Sequence, residues 1–282
     1  MIRIGDYEIF TIETGYASLD GGAMFGIIPK TLWDKTNPAD EYNRIRLALR
    51  TLVIKGNDRT ILVDAGVGTK MNDKLSKIYG VDQSVHELHK GLAQNGLSAE
   101  DITDVIVTHL HFDHIGGATY FDQDGKLQLT FPNATFYVQG EQWSWANNPS
   151  EKDRASYMPE NYQPILDAGK LRELSGPMEL FPGIELLVVF GHTHGMQLPK
   201  ISDGNKTLLY CADLIPTASH IPLPYIMGYD NNPLATLAEK KRILPKAVEG
   251  NWILVFEHDP FRAAGTVELT DKGYRLKEEV AL

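Results

Sequence analysis

Apolar and polar residues alternate along YEIFTIE (7–13), and denser apolar runs follow in RLALRTLVI (46–54) and RTILVDAG (59–66). Period-two alternation and β-branched runs predict strands, and the turn-rich KGND (55–58) between the last two predicts a hairpin. Between the first two strands lies a partly apolar segment, GGAMFGIIPKTLW (21–33). Helices are predicted over 70–79 and 84–94, the second with Val85, Leu88 and Leu92 on one face. Short apolar runs then predict buried strands in ITDVIVT (102–108) and ATFYVQ (134–139). A helical region from Glu141 to about Leu171 leads to three more such runs, IELLVVF (184–190), TLLYCAD (207–213) and WILVFEH (252–258). NPLATLAEKKRILPKAV (232–248) has proline near its start and apolar residues at helical spacing, so it predicts a helix. The segment after His258 reads as two closing strands. Strands interleaved with helices place the chain in the mixed α/β (α+β) classes, and no linker-like stretch divides residues 1–282, so a single domain is expected.

Composition narrows the function. The chain of 282 residues is 43% hydrophobic, enough for a sizeable core. Its formal net charge of −10 would repel a phosphate backbone, which disfavours nucleic acid as a partner. Cys211 is the only cysteine, which excludes an intrachain disulfide and a cysteine-rich zinc module. The first residues lack the basic start and long apolar stretch of a secretory signal, and no window suits a membrane helix. A cytoplasmic protein acting on a small molecule, with no nucleic-acid or membrane partner, is the expectation, and a homodimer is left open.

The densest chemistry is THLHFDHIGG (108–117), directly after an apolar run. In an extended segment side chains at i and i+2 share a side, so His109 and His111 can reach one ion. Asp113 and His114 follow where the chain turns and can face a neighbouring point. Imidazole and carboxylate without thiolate suit zinc, manganese or iron at a catalytic site. A second His-x-His, in VVFGHTHGMQ (188–197), follows another apolar run and weakly echoes the first. His86 and His89 could touch one ion from a helix, but with lysine, glutamate and glutamine around them they read as a solvated face.

H-x-H-x-D-H followed by IGG resembles the signature of the metallo-β-lactamase-fold hydrolases. The resemblance runs in order through ILVDAGVG with Asp64, GHTHG, CAD and FEH. It implies a four-layer αββα sandwich and two divalent metal ions, zinc first, with manganese or iron as alternatives. Carried over residue by residue, His109, His111 and His192 would hold one ion, Asp113, His114 and His258 the other, and Asp213 would bridge them. Two such ions can activate a shared water and polarise a carbonyl or phosphoryl oxygen. Asp113 would also carry a proton to the leaving group, and Asp64 would orient a ligand rather than be one.

The third motif departs from the G-H-T-P-G-H of many relatives, with His194 and Met196 in place of Pro and His. His194 reads as a pocket or ligand-supporting residue, or else as a competing ligand. Relatives that open acyl-homoserine lactones often carry tyrosine three residues after the bridging aspartate, where this chain has Pro216. If lactone chemistry occurs, His220, Tyr225 and Tyr229 in SHIPLPYIMGYD (219–230) are the candidate catalytic donors to the oxyanion. Met24, Phe25, Leu32 and Trp33 form either core or a flap over the substrate, and the flap is preferred because the surrounding sequence is similar to the branch of methyl parathion hydrolase and quorum-quenching lactonases. The expected function is therefore a dinuclear hydrolase that attacks a small neutral, rather apolar ester or lactone with a metal-bridging hydroxide. A glyoxalase II-like thioesterase and a phosphotriesterase are the alternatives, and a silent scaffold or a mono-iron oxygenase on the same fold is the reading of another class.

Overall fold

A computed structural model describes residues 1–282. The chain builds β1 (Ile2–Ile4), β2 (Tyr7–Asp20), α1 (Gly21–Phe25), α2 (Lys30–Trp33), β3 (Arg44–Gly56) and β4 (Arg59–Val63). It continues through α3 (Asp73–Ile78), α4 (Leu88–Gln94), β5 (Asp104–Ile106), α5 (Phe112–Ile115), β6 (Thr119–Phe121), β7 (Leu127–Leu129), β8 (Thr135–Gln139), α6 (Gly140–Asn147), α7 (Gln163–Asp167) and β9 (Leu171–Leu174). The second half contains β10 (Met178–Phe181), β11 (Ile184–Val189), β12 (Met196–Ser202), β13 (Thr207–Tyr210), α8 (Pro233–Glu249), β14 (Ile253–Val255), β15 (Ala264–Thr270) and β16 (Gly273–Val280).

Two seven-stranded sheets result, in the orders β1-β2-β3-β4-β5-β8-β9 and β10-β11-β12-β13-β14-β15-β16. Alternation puts Ile9, Leu52, Ile54, Ile61 and Val63 of the first sheet into one buried cluster with Ile184, Leu186, Ile201 and Leu208 of the second. The intervening residues Phe10, Ile12, Val53 and Leu62 turn to the other face, where Leu88 and Leu92 of α4, Ala146 of α6 and Ile165 of α7 cover them. On the second sheet Ile243, Leu244 and Ala247 of α8 close the outer face. The order of layers is helix, sheet, sheet, helix, as the resemblance implied.

Several boundaries moved for local reasons. The predicted hairpin forms, with Asn57 and Asp58 both at positive φ between paired Gly56 and Arg59. The helix expected from residue 84 begins at Leu88, because the Glu87 carboxylate accepts from the His89 and Lys90 amides and caps it there. The expected helical region 141–171 breaks after Asn147, resumes as short turns and α7, and ends in strand β9; Pro149, Pro159 and Pro164 interrupt it. Strand β12 carries Pro199, which hid it from the pattern. The α8 helix forms as predicted, with the Asn232 side chain accepting from the Ala235 amide and Pro233 in the first turn.

Each sheet opens as an antiparallel meander of four strands and then adds a parallel one, β5 beside β4 and β14 beside β13. This topological echo pairs the loop after β5 with the loop after β14. The two His-x-His stretches follow β5 and β11 instead, so their likeness does not mark equivalent positions. What matters for function is that the C-terminal ends of β4, β5, β11, β13 and β14 all meet at one edge, which carries Asp64, residues 108–114, His192, Asp213 and His258.

Candidate metal centre

Seven side chains converge at that edge in two donor groups. In the first, the His109 Nε2 and His192 Nε2 atoms lie 3.0 and 3.1 Å from His111 Nδ1, and His192 Nε2 lies 3.0 Å from Asp213 Oδ2. In the second, His114 Nε2 and His258 Nε2 are 3.3 Å apart, with Asp113 oxygens 3.9 Å from each. Asp213 also reaches the second group, His258 Nε2 at 3.1 Å through Oδ1 and His114 Nε2 at 3.6 Å through Oδ2, so its carboxylate lies between the two. All these imidazoles are buried. Ligands at about 2.0–2.1 Å from a tetrahedral ion would sit at about such separations, so the ring nitrogens fit around a shared cation. The donor set of imidazole and carboxylate fits two divalent ions.

Chain geometry brings the donors together. Gly116 and Gly117 let the loop after His114 lie on Ala65–Val67; a β-carbon there would meet Val67 O at 2.2 Å and Ala65 O at 2.1 Å. Asp64 takes φ 60°, a left-handed conformation that aspartate tolerates better than most residues. From there its carboxylate accepts from the Thr108 amide at 2.7 Å and hydroxyl at 2.6 Å, and it lies 3.2 Å from His114 Nδ1. Asp64 therefore orients a donor and offers none to the seven-residue cluster.

The remaining rings are held in the same way. His109 Nδ1 meets Thr108 Oγ1 at 3.0 Å, His192 Nδ1 meets Asp230 Oδ1 at 3.0 Å, and His258 Nδ1 meets the Ala48 carbonyl at 2.9 Å. These partners fix each tautomer so that Nε2 presents its lone pair inward. His111 is the exception, since it faces inward through Nδ1 and its buried Nε2 has no hydrogen-bond partner. Gln142 of α6, fully buried, joins two of the loops: its Oε1 accepts from the Leu110 amide at 3.2 Å, and its Nε2 donates to Thr193 Oγ1 at 3.2 Å and the His194 carbonyl at 2.6 Å.

Electrostatics match the arrangement. Burial, with the neighbouring imidazoles adding to it, holds His109 and His111 well below the ordinary histidine value and hence neutral. Burial also opposes protonation of His192 and His258, but the Asp213 carboxylate, joined by Asp230 at His192 and Glu257 at His258, outweighs it and lifts both to about 9. Asp213 itself is driven well below the usual carboxylate range: burial resists, and His192, His258 and His114 prevail. An edge that holds positive charge this strongly is suited to a metal cation in place of the protons. Glu257 lies behind His114, its Oε1 3.1 Å from Nδ1, and burial pushes its carboxyl up to about 7.

A cavity opens over the cluster, lined by Asp113, His111, His192, Asp213 and His258 and walled by Leu19, Met24, Leu47, Phe112, Met227 and Tyr229. Of the oxyanion candidates only Tyr229 lines it; burial pushes its phenol up to about 12, which keeps the hydroxyl protonated at neutral pH. His220 lies elsewhere. Its Nδ1 meets Thr217 Oγ1 and its Nε2 the Met24 carbonyl, both at 2.8 Å; burial pulls it down to about 4, and its ring stacks on Phe25. Tyr225 packs edge-on against Phe25, away from the cavity lining. Phe25 and Trp33 stack in the core and Leu32 is exposed, so of the expected flap only Met24 touches the cavity. His194 stacks on Trp145 at 4.0 Å in an outer groove and belongs to neither donor group. Asp230, Glu257 and Gln142 were missed by sequence reasoning. Asp230 ends the quoted run SHIPLPYIMGYD and Glu257 precedes a ligand in FEH, but neither position carries a pattern of its own.

A family model described as the metallo-beta-lactamase superfamily matches residues 50–258. An N-acyl homoserine lactonase of Agrobacterium fabrum is 25% identical, over 95% of this chain and 99% of its own length. Among solved structures, a probable metal-dependent hydrolase from Staphylococcus aureus superposes with TM-score 0.86 at 30% identity, covering 99% of this chain and 100% of that one. A dizinc quorum-quenching lactonase in complex with a product gives TM-score 0.80 at 25% identity, covering 100% and 97%.

Proposed function

The chain belongs to the metallo-β-lactamase superfamily and is a metal-dependent hydrolase, and from that premise we propose that it opens a small, mostly apolar ester or lactone at a dinuclear centre. One observation carries the reading: seven donors, all but Asp113 buried, fall into two groups that both meet Asp213 and converge under one partly apolar cavity. His109, His111 and His192 would hold one ion, Asp113, His114 and His258 the other, with Asp213 between them. Bound there, two divalent ions, zinc first and manganese or iron as alternatives, would supply a nucleophilic water at neutral pH and polarise the scissile carbonyl.

The protein's own groups do the rest. Asp113 lines the cavity beside His114 and His258, where it can hold a proton and pass it to the leaving oxygen. Tyr229 stays protonated on the facing wall and is the one candidate left to donate to the oxyanion, in place of the tyrosine that Pro216 excludes. Leu19, Met24, Leu47 and Met227 exclude water from the apolar part of the substrate. The N-acyl homoserine lactonase relatives supply the lactone as the first substrate to try.

The test is metal content per chain together with a hydrolysis panel of acyl-homoserine lactones, γ-lactones, a thioester and an aryl phosphotriester, with and without chelator. Two ions and chelator-sensitive opening of the lactones or esters are expected. Full turnover after removal of both ions would overturn the reading, a thioester or phosphotriester preference would redirect it, and one iron per chain would point to the oxygenase.

A further inference from the structure

One lysine, the exposed Lys152 between α6 and α7, lines the cavity over the donor cluster. Its Nζ donates to the Tyr229 carbonyl at 2.6 Å, and no carboxylate lies within ion-pair distance of it. The acid next in sequence, Asp153, is already spent: its carboxylate accepts from Trp145 Nε1 at 2.7 Å, Ser150 Oγ at 2.8 Å and Asn231 Nδ2 at 2.6 Å. An ammonium has three N–H donors, and one neutral carbonyl occupies one of them. The carbonyl that takes it belongs to Tyr229, itself a wall of the cavity, so the charge is tethered at the rim. The lining thus combines metal donors, the apolar residues Leu19, Met24, Leu47 and Met227, and a lysine without an ion-pair partner.

We propose that Lys152 is a specificity-determining residue that selects ester substrates carrying a carboxylate. The inference rests on the ester-hydrolysis reading and departs from the expectation of a neutral substrate. That expectation came from the net charge of −10, which describes the whole surface, whereas recognition is decided by the groups facing the cavity. A carboxylate on the ligand completes the hydrogen bonding of this exposed ammonium with charge-assisted bonds, which are stronger than neutral ones.

The experiment uses the metal-loaded full chain and two matched esters, the mono-4-nitrophenyl ester of suberic acid and its ω-methyl ester, read by nitrophenolate release. Calorimetric binding of the uncleavable suberic acid monoanilide and of its uncharged ω-amide runs in parallel. The free acids are expected to react and bind about tenfold better than the neutral partners, through KM rather than kcat, and the preference should shrink as salt rises. Lys152→Gln keeps an N–H for the Tyr229 carbonyl and removes the charge; it should abolish the preference while leaving the methyl ester within about twofold, and Lys152→Arg should retain it. Equal use of the two esters by the wild type, or a preference that survives in Lys152→Gln, would overturn the inference. If neither ester is cleaved but the monoanilide still binds in a Lys152-dependent way, the ester reading fails and the anion subsite stands.

Discussion

Asp230→Ala separates the support of a metal ligand from the ligand itself. Asp230 is buried; one oxygen lies 3.0 Å from His192 Nδ1 and the other accepts from Thr236 Oγ1 at 2.6 Å. Removing the carboxylate frees the His192 ring to rotate and to exchange tautomers, so the Nε2 lone pair is no longer held toward His111 and Asp213. Loss of such a partner typically weakens a metal site about 10–100-fold, which is about 1.4–2.7 kcal/mol. The Thr236 hydroxyl has a fallback acceptor in the Asn232 carbonyl at 3.5 Å, so the metal-free fold should lose only about 1–3 kcal/mol, the cost of one buried N–H left without its acceptor. Asp230→Asn keeps an acceptor for Nδ1–H and loses only charge, and should weaken binding less than tenfold. The assay is competition with a chromophoric chelator, fitted to two sites, beside a denaturant melt of the metal-free chain. The first ion, at His109, His111 and His192, should weaken while the second, at His114 and His258, stays put. Equal weakening of both ions, or no change in either, would refute the argument that Asp230 acts through His192.

Asp213→Ala removes the carboxylate shared by both groups; the second ion and nearly all hydrolysis should be lost while circular dichroism shows a folded chain, and unchanged turnover would sink the seven-donor assignment. Gln142→Leu strips the Leu110 amide, Thr193 hydroxyl and His194 carbonyl of a common partner, and should cost about 2–4 kcal/mol in denaturant unfolding, with Gln142→Glu unable to restore it because a carboxylate cannot donate to the carbonyl. Lys240 is buried in α8, where its Nζ donates to the His220, Pro222 and Tyr225 carbonyls, and burial, opposed by Asp230, pushes it down to about 7. Between pH 7 and its ordinary value of 10.5 the unfolded chain then holds a proton the folded chain has released, so wild-type stability should rise with pH relative to Lys240→Met across that window and run parallel to it below pH 7. Denaturant midpoints of both proteins at several pH values measure the difference.

How much was legible follows from what each signal depends on. The donors of THLHFDHIGG lie within six positions of one loop, so their common direction is a matter of strand geometry, and the structure does bring His109 and His111 to one group and Asp113 and His114 to the other. His192, Asp213 and His258 each end an apolar run, which placed them at strand ends. The candidates in SHIPLPYIMGYD fared differently because a loop has no period to say which way a side chain turns: Tyr229 faces the cavity, while the ring nitrogens of His220 are spent on Thr217 and Met24.

Sequence alone therefore determined the residue types at the site, the run of strands and helices of a mixed α/β chain, and the order in which the donors occur, while two sheets with helices outside was what the resemblance implied. Those follow from local periodicity and from short motifs, which operate over a few residues. Tertiary structure decided the rest: that Asp230 holds His192 from 38 residues away, that Gln142 ties together loops lying 32 and 51 residues from it, and that Lys152 stands without an ion pair beside Tyr229 across 77 residues. Contacts of that span depend on how the sheets stack and where the loops cross, and no periodicity along the chain records it.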